Sequence, residues 1–261
     1  MTSIPLSPFT LTVAGAFGLV MGSAVTAIAY RVPRGISWVH GRSRCPGCDH
    51  VLEVWDLLPL LSWISTLGRC RYCRARIPVR YPVTEIACTA WAVLLALKVG
   101  LGPTYPLLAL WGFLMIALLW IDLDFQLLPD VLTFPGTLIG LAAAALVPGG
   151  PRVALFGVMM GSGLLWRLAW GYFKVRKIEG MGGGDVKLAA MFGVVLGWQG
   201  ALLTLFLSAL AGSVWGGLIM ARREGDARTA IPFGTLLAPA ALVVFLWGDH
   251  WLNAYLGMFR G

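Results

Sequence analysis

The chain has 261 residues, of which 58% are hydrophobic and only 12% are charged, and its mean hydropathy is +0.80. This composition excludes a water-soluble globular protein and predicts an all-α protein that crosses a membrane several times. The formal net charge is +8, but the basic residues lie between apolar segments, as they do in the loops of membrane proteins, so we expect no nucleic-acid partner.

Apolar stretches of the length that a helix needs to cross the hydrocarbon predict about eight membrane helices. The first covers residues 8–30 and is not followed by a signal-peptide cleavage pattern, so we expect it to be retained. The sixth is short and is separated from the seventh only by residues 197–200, so a hydropathy profile could merge the two. The other predicted spans follow in chain order at residues 82–99, 105–121, 131–148, 153–173, 186–197, 200–220 and 232–248.

One long polar insertion divides the chain into three predicted parts. They are the first membrane helix (residues 1–30), a small loop domain (residues 31–80) and a larger membrane domain (residues 81–261). The loop domain, residues 167–187 and residues 222–228 together hold 17 of the 20 Lys and Arg residues. The positive-inside rule therefore predicts that the loop domain lies in the cytoplasm and that both termini lie outside.

Acidic residues lie at the predicted cytoplasmic ends of two different spans. Asp122 and Asp124 follow the third span, and Asp185 lies in the glycine-rich segment that precedes the sixth. Because glycine has no side chain and tolerates positive φ angles, this segment can bring Asp185 close to another helix. Taken alone, the position of Asp185 favours capping of its own helix. A second carboxyl group at the same depth favours a functional site instead.

Two carboxyl groups held a few ångströms apart cannot both ionise, so one keeps a proton near neutrality while the other is charged. The charged group can polarise a water molecule for attack on an amide carbonyl, and the protonated group can donate to the carbonyl oxygen. These residues therefore predict an aspartic protease. Its pair contains Asp185 and either Asp122 or Asp124, which the sequence alone does not separate.

Two further charged residues near this predicted site have simpler interpretations. Asp130 opens the fourth span, and we expect it to cap that helix. Lys187 could pair with a carboxylate or with a lipid phosphate, and a single Lys at the membrane interface favours the lipid.

The loop domain contains two Cys-x-x-Cys pairs, which together offer four thiol ligands. Their spacing predicts a tetrahedral four-thiolate zinc site. Disulfide bonds are the alternative, and a reducing cytoplasm disfavours them. Nearby arginines would offset the negative charge of the thiolates and could also contact anionic membrane lipids. The predicted ligands are Cys45, Cys48, Cys70 and Cys73, and the arginines are Arg44, Arg69, Arg71 and Arg74.

Motifs spread over nearly the whole chain resemble those of type IV prepilin peptidases, membrane aspartic proteases that mature pilins and the pseudopilins of type II secretion. They are Gly22-Ser23 with Arg31 and Pro33, the Cys pairs, Trp55 with Pro59 and Ser62-Trp63, Arg80-Tyr81-Pro82 with Glu85, Asp122-Leu123-Asp124 with Leu128-Pro129-Asp130, Gly180 to Lys187, and Ile231-Pro232-Phe233-Gly234. The resemblance implies that Asp122 and Asp185 are the catalytic pair. It also implies cleavage of a basic leader just after a Gly, at the cytoplasmic face of the bacterial inner membrane, with prepilins or pseudopilins as substrates.

Many members of this family then methylate the new N-terminal amine, using S-adenosylmethionine. The resemblance implies this second activity too, but the sequence departs from the family pattern in the first span. Ala24, Thr26 and Tyr30 stand where the family commonly has Phe, Asn and His, so methyl transfer stays open. No residue is predicted to bind the methyl donor.

Three other classes of protein share some of these features. The Gly-x-Gly-Asp element also occurs in presenilin-like intramembrane proteases, which cleave other substrates. A proton-coupled transporter would use intramembrane carboxyl groups, but near the midplane at broken helices and not at the cytoplasmic margin. A zinc-bearing membrane adaptor would explain the Cys pairs and leave the acidic residues unexplained. The oligomeric state is not predicted.

Overall fold

The computed structural model describes residues 6–38, 40–177, 182–221 and 233–258. Gly180, the basic stretch at residues 222–228 and Ile231-Pro232 lie outside these residues. The described residues contain eight α-helices and two isolated β-bridges. The helices are α1 (Pro8–Arg31), α2 (Leu61–Ser65), α3 (Arg80–Val99), α4 (Thr104–Phe125), α5 (Asp130–Ala145), α6 (Gly150–Arg176), α7 (Gly183–Ala221) and α8 (Gly234–Gly257).

Six of these helices are long and apolar enough to cross a membrane, namely α1, α3, α4, α6, α7 and α8, and α5 is a shorter apolar helix. This confirms the predicted all-α, multi-pass membrane architecture. The chain divides into two compact units, Met1–Tyr105 and Pro106–Gly261.

In the first unit, α1 packs closely against α3 through two glycines. A Cβ atom at Gly18 would lie 2.6 Å from the carbonyl oxygen of Cys88, and one at Gly22 would lie 2.6 Å from Cα of Glu85. Both distances are too short for any real Cβ atom, so larger residues would force the helices apart. Small residues at the contact are the usual basis of close helix packing in membranes.

The segment between α1 and α3 is tied to α3 by a buried carboxyl group. Glu85 is 7% exposed, and its Oε2 accepts a 2.8 Å hydrogen bond from the backbone amide of Leu60. Leu60 directly precedes α2 and has a φ angle of 58°, which is uncommon for a leucine. The Glu85 side chain therefore holds this strained turn next to the second turn of α3.

In the second unit, α5 and the first half of α7 lie side by side and run in the same direction. A Cβ atom at Gly136 would meet the side chain of Met191, and one at Gly140 would meet that of Val194. Trp111 of α4 donates a 2.9 Å hydrogen bond to the carbonyl oxygen of Met191, so α4 packs on the same half of α7. The end of α4 and the starts of α5 and α7 consequently meet at one end of this unit.

The helix α7 folds back on itself at Gly197, whose φ and ψ angles are 68° and −176°. A Cβ atom at Gly161 of α6 would lie 3.0 Å from the Ala189 carbonyl oxygen and 3.4 Å from Ala201 Cβ. An unbroken helix would separate Ala189 and Ala201 by about 18 Å. The two halves of α7 therefore form a hairpin, which confirms the predicted break. Counted separately, they bring the apolar helical segments within the described residues to eight.

The end of α4 differs from the sequence prediction, which placed it at residue 121. The helix continues to Phe125 and closes where the Gln126 amide donates a 2.8 Å hydrogen bond to the Asp122 carbonyl oxygen. Hydropathy falls at the acidic residues, whereas backbone hydrogen bonding does not depend on side-chain polarity. Asp122 and Asp124 thus lie within the last turn of α4.

Candidate active site and metal site

Asp122 is buried where α4 ends, with an exposed fraction of 4%. Its Oδ2 accepts two hydrogen bonds from Thr235, at 2.5 Å from the backbone amide and at 2.8 Å from Oγ1. Thr235 is the second residue of α8, and Gly234 is the first. A Cβ atom at Gly234 would lie 2.9 Å from Asp122 Oδ2. The start of α8 can therefore approach this carboxyl group so closely because Gly234 has no side chain.

Asp185 is half-buried in the first turn of α7, and its carboxyl group interacts electrostatically with that of Asp122. The preceding Gly184 lets this turn pack against the segment after α4, since a Cβ atom there would lie 3.0 Å from Leu128 Cβ. Within the described part of the chain, no backbone amide of α7 donates to the Asp185 carboxyl group. The geometry does not support capping as the role of Asp185.

Asp122 and Asp124 differ in their surroundings although they share the last turn of α4. Asp122 is buried, whereas Asp124 is exposed. Residues two positions apart on an α-helix point in nearly opposite directions, so only one of the pair can face the start of α8. Of the two, Asp122 is the one that contacts Thr235 and interacts with Asp185. A catalytic role for this pair stays a prediction.

The capping interpretation of Asp130 is wrong, because the N-cap residue of α5 is Pro129 and no side chain caps this helix. Asp130 instead forms an ion pair with Lys187, with 2.6 Å between Oδ1 and Nζ. Lys187 thus takes up the carboxylate alternative. The pair forms because α5 and α7 start side by side, an arrangement that the sequence pattern does not contain.

Thr235 is the site residue that the sequence motifs missed. The motif at the start of the last span ends at Gly234, and Thr235 follows it directly. Its position in the first turn of a predicted helix could have indicated a role in the site, because backbone amides and hydroxyl groups there commonly bind carboxylates.

The four cysteines of the two Cys-x-x-Cys pairs come together in one cluster. Their Sγ atoms all lie within 4.8 Å of one another, and Cys45 and Cys73 are 3.8 Å apart. Four sulfur atoms at the corners of a tetrahedron, each about 2.3 Å from a zinc ion, would be separated by about 3.8 Å. The cluster could therefore hold a metal ion, and its geometry is consistent with zinc.

The two pairs adopt matching backbone turns. The Cys45 amide donates to the His50 carbonyl oxygen at 3.0 Å, and the Cys70 amide donates to that of Ala75 at 2.8 Å. Each turn is closed by an isolated antiparallel bridge, between Arg44 and Val51 in the first and between Arg69 and Arg76 in the second. The residue after the second cysteine has a positive φ angle in both, at Asp49 and at Arg74.

The thiol groups of this cluster influence one another strongly. Hydrogen bonds from the Cys73 and Tyr72 amides lower the pKa of the Cys70 thiol to about 7. Against the lowering effect of the His50 amide, burial and the neighbouring thiols raise the pKa of Cys48 to about 12. Four adjacent thiols therefore do not all ionise by themselves, and a divalent cation would compensate the repulsion between thiolates.

Two of the four arginines near the cluster are already paired with acidic side chains. Arg44 lies 2.9 Å from Asp49, and Arg71 lies 3.3 Å from Asp56. Asp56 also accepts a 3.1 Å hydrogen bond from the Tyr72 hydroxyl group. Part of the arginine charge that was expected to offset the thiolates is therefore balanced by neighbouring carboxylates.

Comparison with known proteins gives consistent matches over most of the chain. Residues 16–99 match the profile of the bacterial peptidase A24 N-terminal domain, and residues 107–217 match that of the type IV leader peptidase family. No solved structure matches the chain significantly.

Several curated proteins named prepilin leader peptidase/N-methyltransferase are similar to this chain. The protein from Stutzerimonas stutzeri is 39% identical, over 84% of this chain and 76% of its own length. That from Aeromonas salmonicida is 42% identical, over 82% of this chain and 74% of its own length. That from Pseudomonas aeruginosa is 36% identical, over 92% of this chain and 91% of its own length.

Proposed function

Because the chain belongs to the type IV leader peptidase family, we propose that it is a membrane aspartic endopeptidase that removes the basic leader of type IV prepilins or pseudopilins. Cleavage follows a Gly residue at the cytoplasmic face of the bacterial inner membrane. The observation that carries this proposal is the electrostatic interaction between Asp122 and Asp185, which belong to helices far apart in the sequence and lie at the same end of the second unit.

In the proposed reaction, the two carboxyl groups share one proton. The charged group takes a proton from a water molecule while the water oxygen attacks the carbonyl carbon of the Gly, and the protonated group donates to the carbonyl oxygen. The tetrahedral intermediate, which now carries two hydroxyl groups, then collapses. The carboxylate that gave its proton takes one back from a hydroxyl group, the C–N bond breaks, and the proton taken from water passes to the departing amine, so the pair again holds one proton. This division of roles requires two carboxyl groups in contact and no covalent intermediate with the enzyme.

Residues 31–80 form, in this proposal, a cytoplasmic domain held together by zinc, between the first helix (residues 1–30) and the peptidase domain (residues 81–261). Cys45, Cys48, Cys70 and Cys73 would fill all four positions of the ion, which is typical of a structural site. Arg69 and Arg74 would contact anionic lipid headgroups at the membrane surface.

Methylation of the new N-terminal amine is a second proposed activity, supported by the names of the similar proteins. S-adenosylmethionine would supply an electrophilic methyl group to that amine. We assign no residue of this chain to the methyl donor.

Co-expression with a prepilin should test both activities in one measurement. Mass spectrometry of the pilin should show loss of the leader up to and including its terminal Gly. A further mass increase of one methyl group on the new N-terminus would indicate methylation, and its absence would restrict the proposal to the peptidase. An intact leader in cells that contain the folded enzyme would contradict the proposed function.

The proposed orientation predicts opposite signals from two reporter fusions. A reporter at Glu53 should behave as cytoplasmic and one at the C-terminus as external, because 17 of the 20 basic residues lie in segments assigned to the cytoplasm. Two reporter enzymes, one active only in the cytoplasm and the other only outside it, measure the orientation directly. Matching signals at both positions would overturn the orientation.

A further inference from the structure

Thr235 contacts Asp122 of the proposed catalytic pair, although its hydroxyl group is neither an acid nor a base near neutral pH. We propose that Thr235 is a positioning residue for the peptidase reaction. It holds the Asp122 carboxyl group through Oδ2, so that the proton shared by Asp122 and Asp185 resides on another oxygen. This inference rests on the proposed function and adds a residue to its site.

The two hydrogen bonds disfavour Oδ2 as the oxygen that carries the shared proton. Both Thr235 groups act as donors to Oδ2, at 2.5 Å from the amide and 2.8 Å from the hydroxyl group. A protonated oxygen would direct its own hydrogen into this contact. Donors at these short distances are typical of a charged acceptor. The shared proton is therefore left to Asp122 Oδ1 or to the carboxyl group of Asp185.

Asp122 needs these donors because of where it lies. It is 4% exposed, and a buried carboxylate requires hydrogen bonds or a cation as compensation. The charged residues around the helix ends are Asp124 on its own helix, Asp130 on α5, and Asp185 and Lys187 on α7. Lys187 pairs with Asp130, and no Lys or Arg in the described residues pairs with Asp122. Thr235 is consequently the group that compensates the Asp122 charge.

The close approach of α8 makes this contact specific to the start of that helix. Gly234 is buried, and a Cβ atom on it would come within 2.9 Å of Asp122 Oδ2. The carboxyl oxygen therefore lies directly against the first turn of α8. Both the Thr235 amide and the hydroxyl group are in reach as a result, and movement of Asp122 away from the start of α8 would break two hydrogen bonds together.

The test is prepilin cleavage by the purified full-length protein with Ser or Ala at position 235. These two variants differ by a single hydroxyl group. The kcat of Thr235→Ser should stay within about twofold of the native value. The kcat of Thr235→Ala should fall about tenfold or more, because a hydrogen bond to a charged group is lost. KM for the prepilin should change little in either variant, because the contact acts on Asp122 and not on the substrate.

Thr204→Val is a matched control. The Thr204 hydroxyl group is also buried and donates to a helix carbonyl, that of Gly200, at 2.8 Å, but it does not touch the acidic pair. This variant should keep the native kcat. Thermal unfolding of all variants in detergent shows whether any loss reflects the fold.

Equal kcat values for Thr235→Ser and Thr235→Ala would overturn the inference, as would a loss that appears only as a higher KM. Asp185→Asn in the same assay separates this result from failure of the proposed function. If Asp185→Asn is inactive and Thr235→Ala is fully active, only the role of Thr235 is wrong. If Asp185→Asn is active, the proposed function itself fails.

Discussion

Asp122→Asn should reduce prepilin cleavage to the background level. The substitution keeps the size of the side chain, and the amide oxygen can still accept from Thr235, so the surroundings of the residue are preserved. An amide can neither accept the proton of the attacking water nor share a proton with Asp185. Cleavage by the purified protein, followed by mass spectrometry of the released leader, measures the effect.

Asp124→Asn provides the matched control, because this residue lies in the same helical turn but is exposed. It should retain measurable activity. The double variant Asp122→Asn, Asp185→Asn should be no slower than either single variant, since residues that act as a unit are not additive. If Asp122→Asn cleaved at nearly the native rate while Asp124→Asn did not, Asp124 would have to replace Asp122 in the pair.

The double substitution Cys70→Ser, Cys73→Ser should remove zinc from the purified protein. We expect one zinc ion per native chain, because the four Sγ atoms lie within 4.8 Å of one another and fit a single tetrahedral site. Two remaining thiols would leave half of the coordination to weak ligands. Elemental analysis after removal of loosely bound metal gives the zinc content directly. Peptidase activity should survive in part, because Asp122 and Asp185 belong to other segments of the chain.

Cys88→Ser is the control for this experiment. Cys88 is buried on α3 at its contact with α1 and is not a member of the cluster, so the variant should keep its zinc. Full zinc content in the Cys70, Cys73 variant would show that the ligand set is wrong.

Much of this architecture could be predicted because it depends on local properties of the chain. Long apolar segments predicted the membrane helices, and the glycine at residue 197 predicted the break that turns α7 into a hairpin. The spacing within each Cys-x-x-Cys pair predicted the cysteine cluster. Basic residues predicted that Asp122 and Asp185 lie at the same depth, and in the structure these two carboxyl groups interact.

The contacts that were missed all join residues far apart in the sequence. Thr235 and Asp122 are separated by 113 positions, and Lys187 and Asp130 by 57. Close packing at glycines, such as that of Gly136 against Met191, decides which helix ends become neighbours. Hydropathy carries no information about this packing. An acidic residue at the start of a helix was therefore assigned to capping, which for Asp130 is wrong.

Asp185→Asn offers the most direct test of the proposed aspartic peptidase, because Asp185 belongs to the pair whichever acidic residue of α4 is its partner. The measurement is prepilin cleavage by the purified, correctly folded variant beside the native protein. We predict that the prepilin stays intact and that no leader is released. Cleavage at a rate close to that of the native protein would contradict the two-carboxyl mechanism altogether.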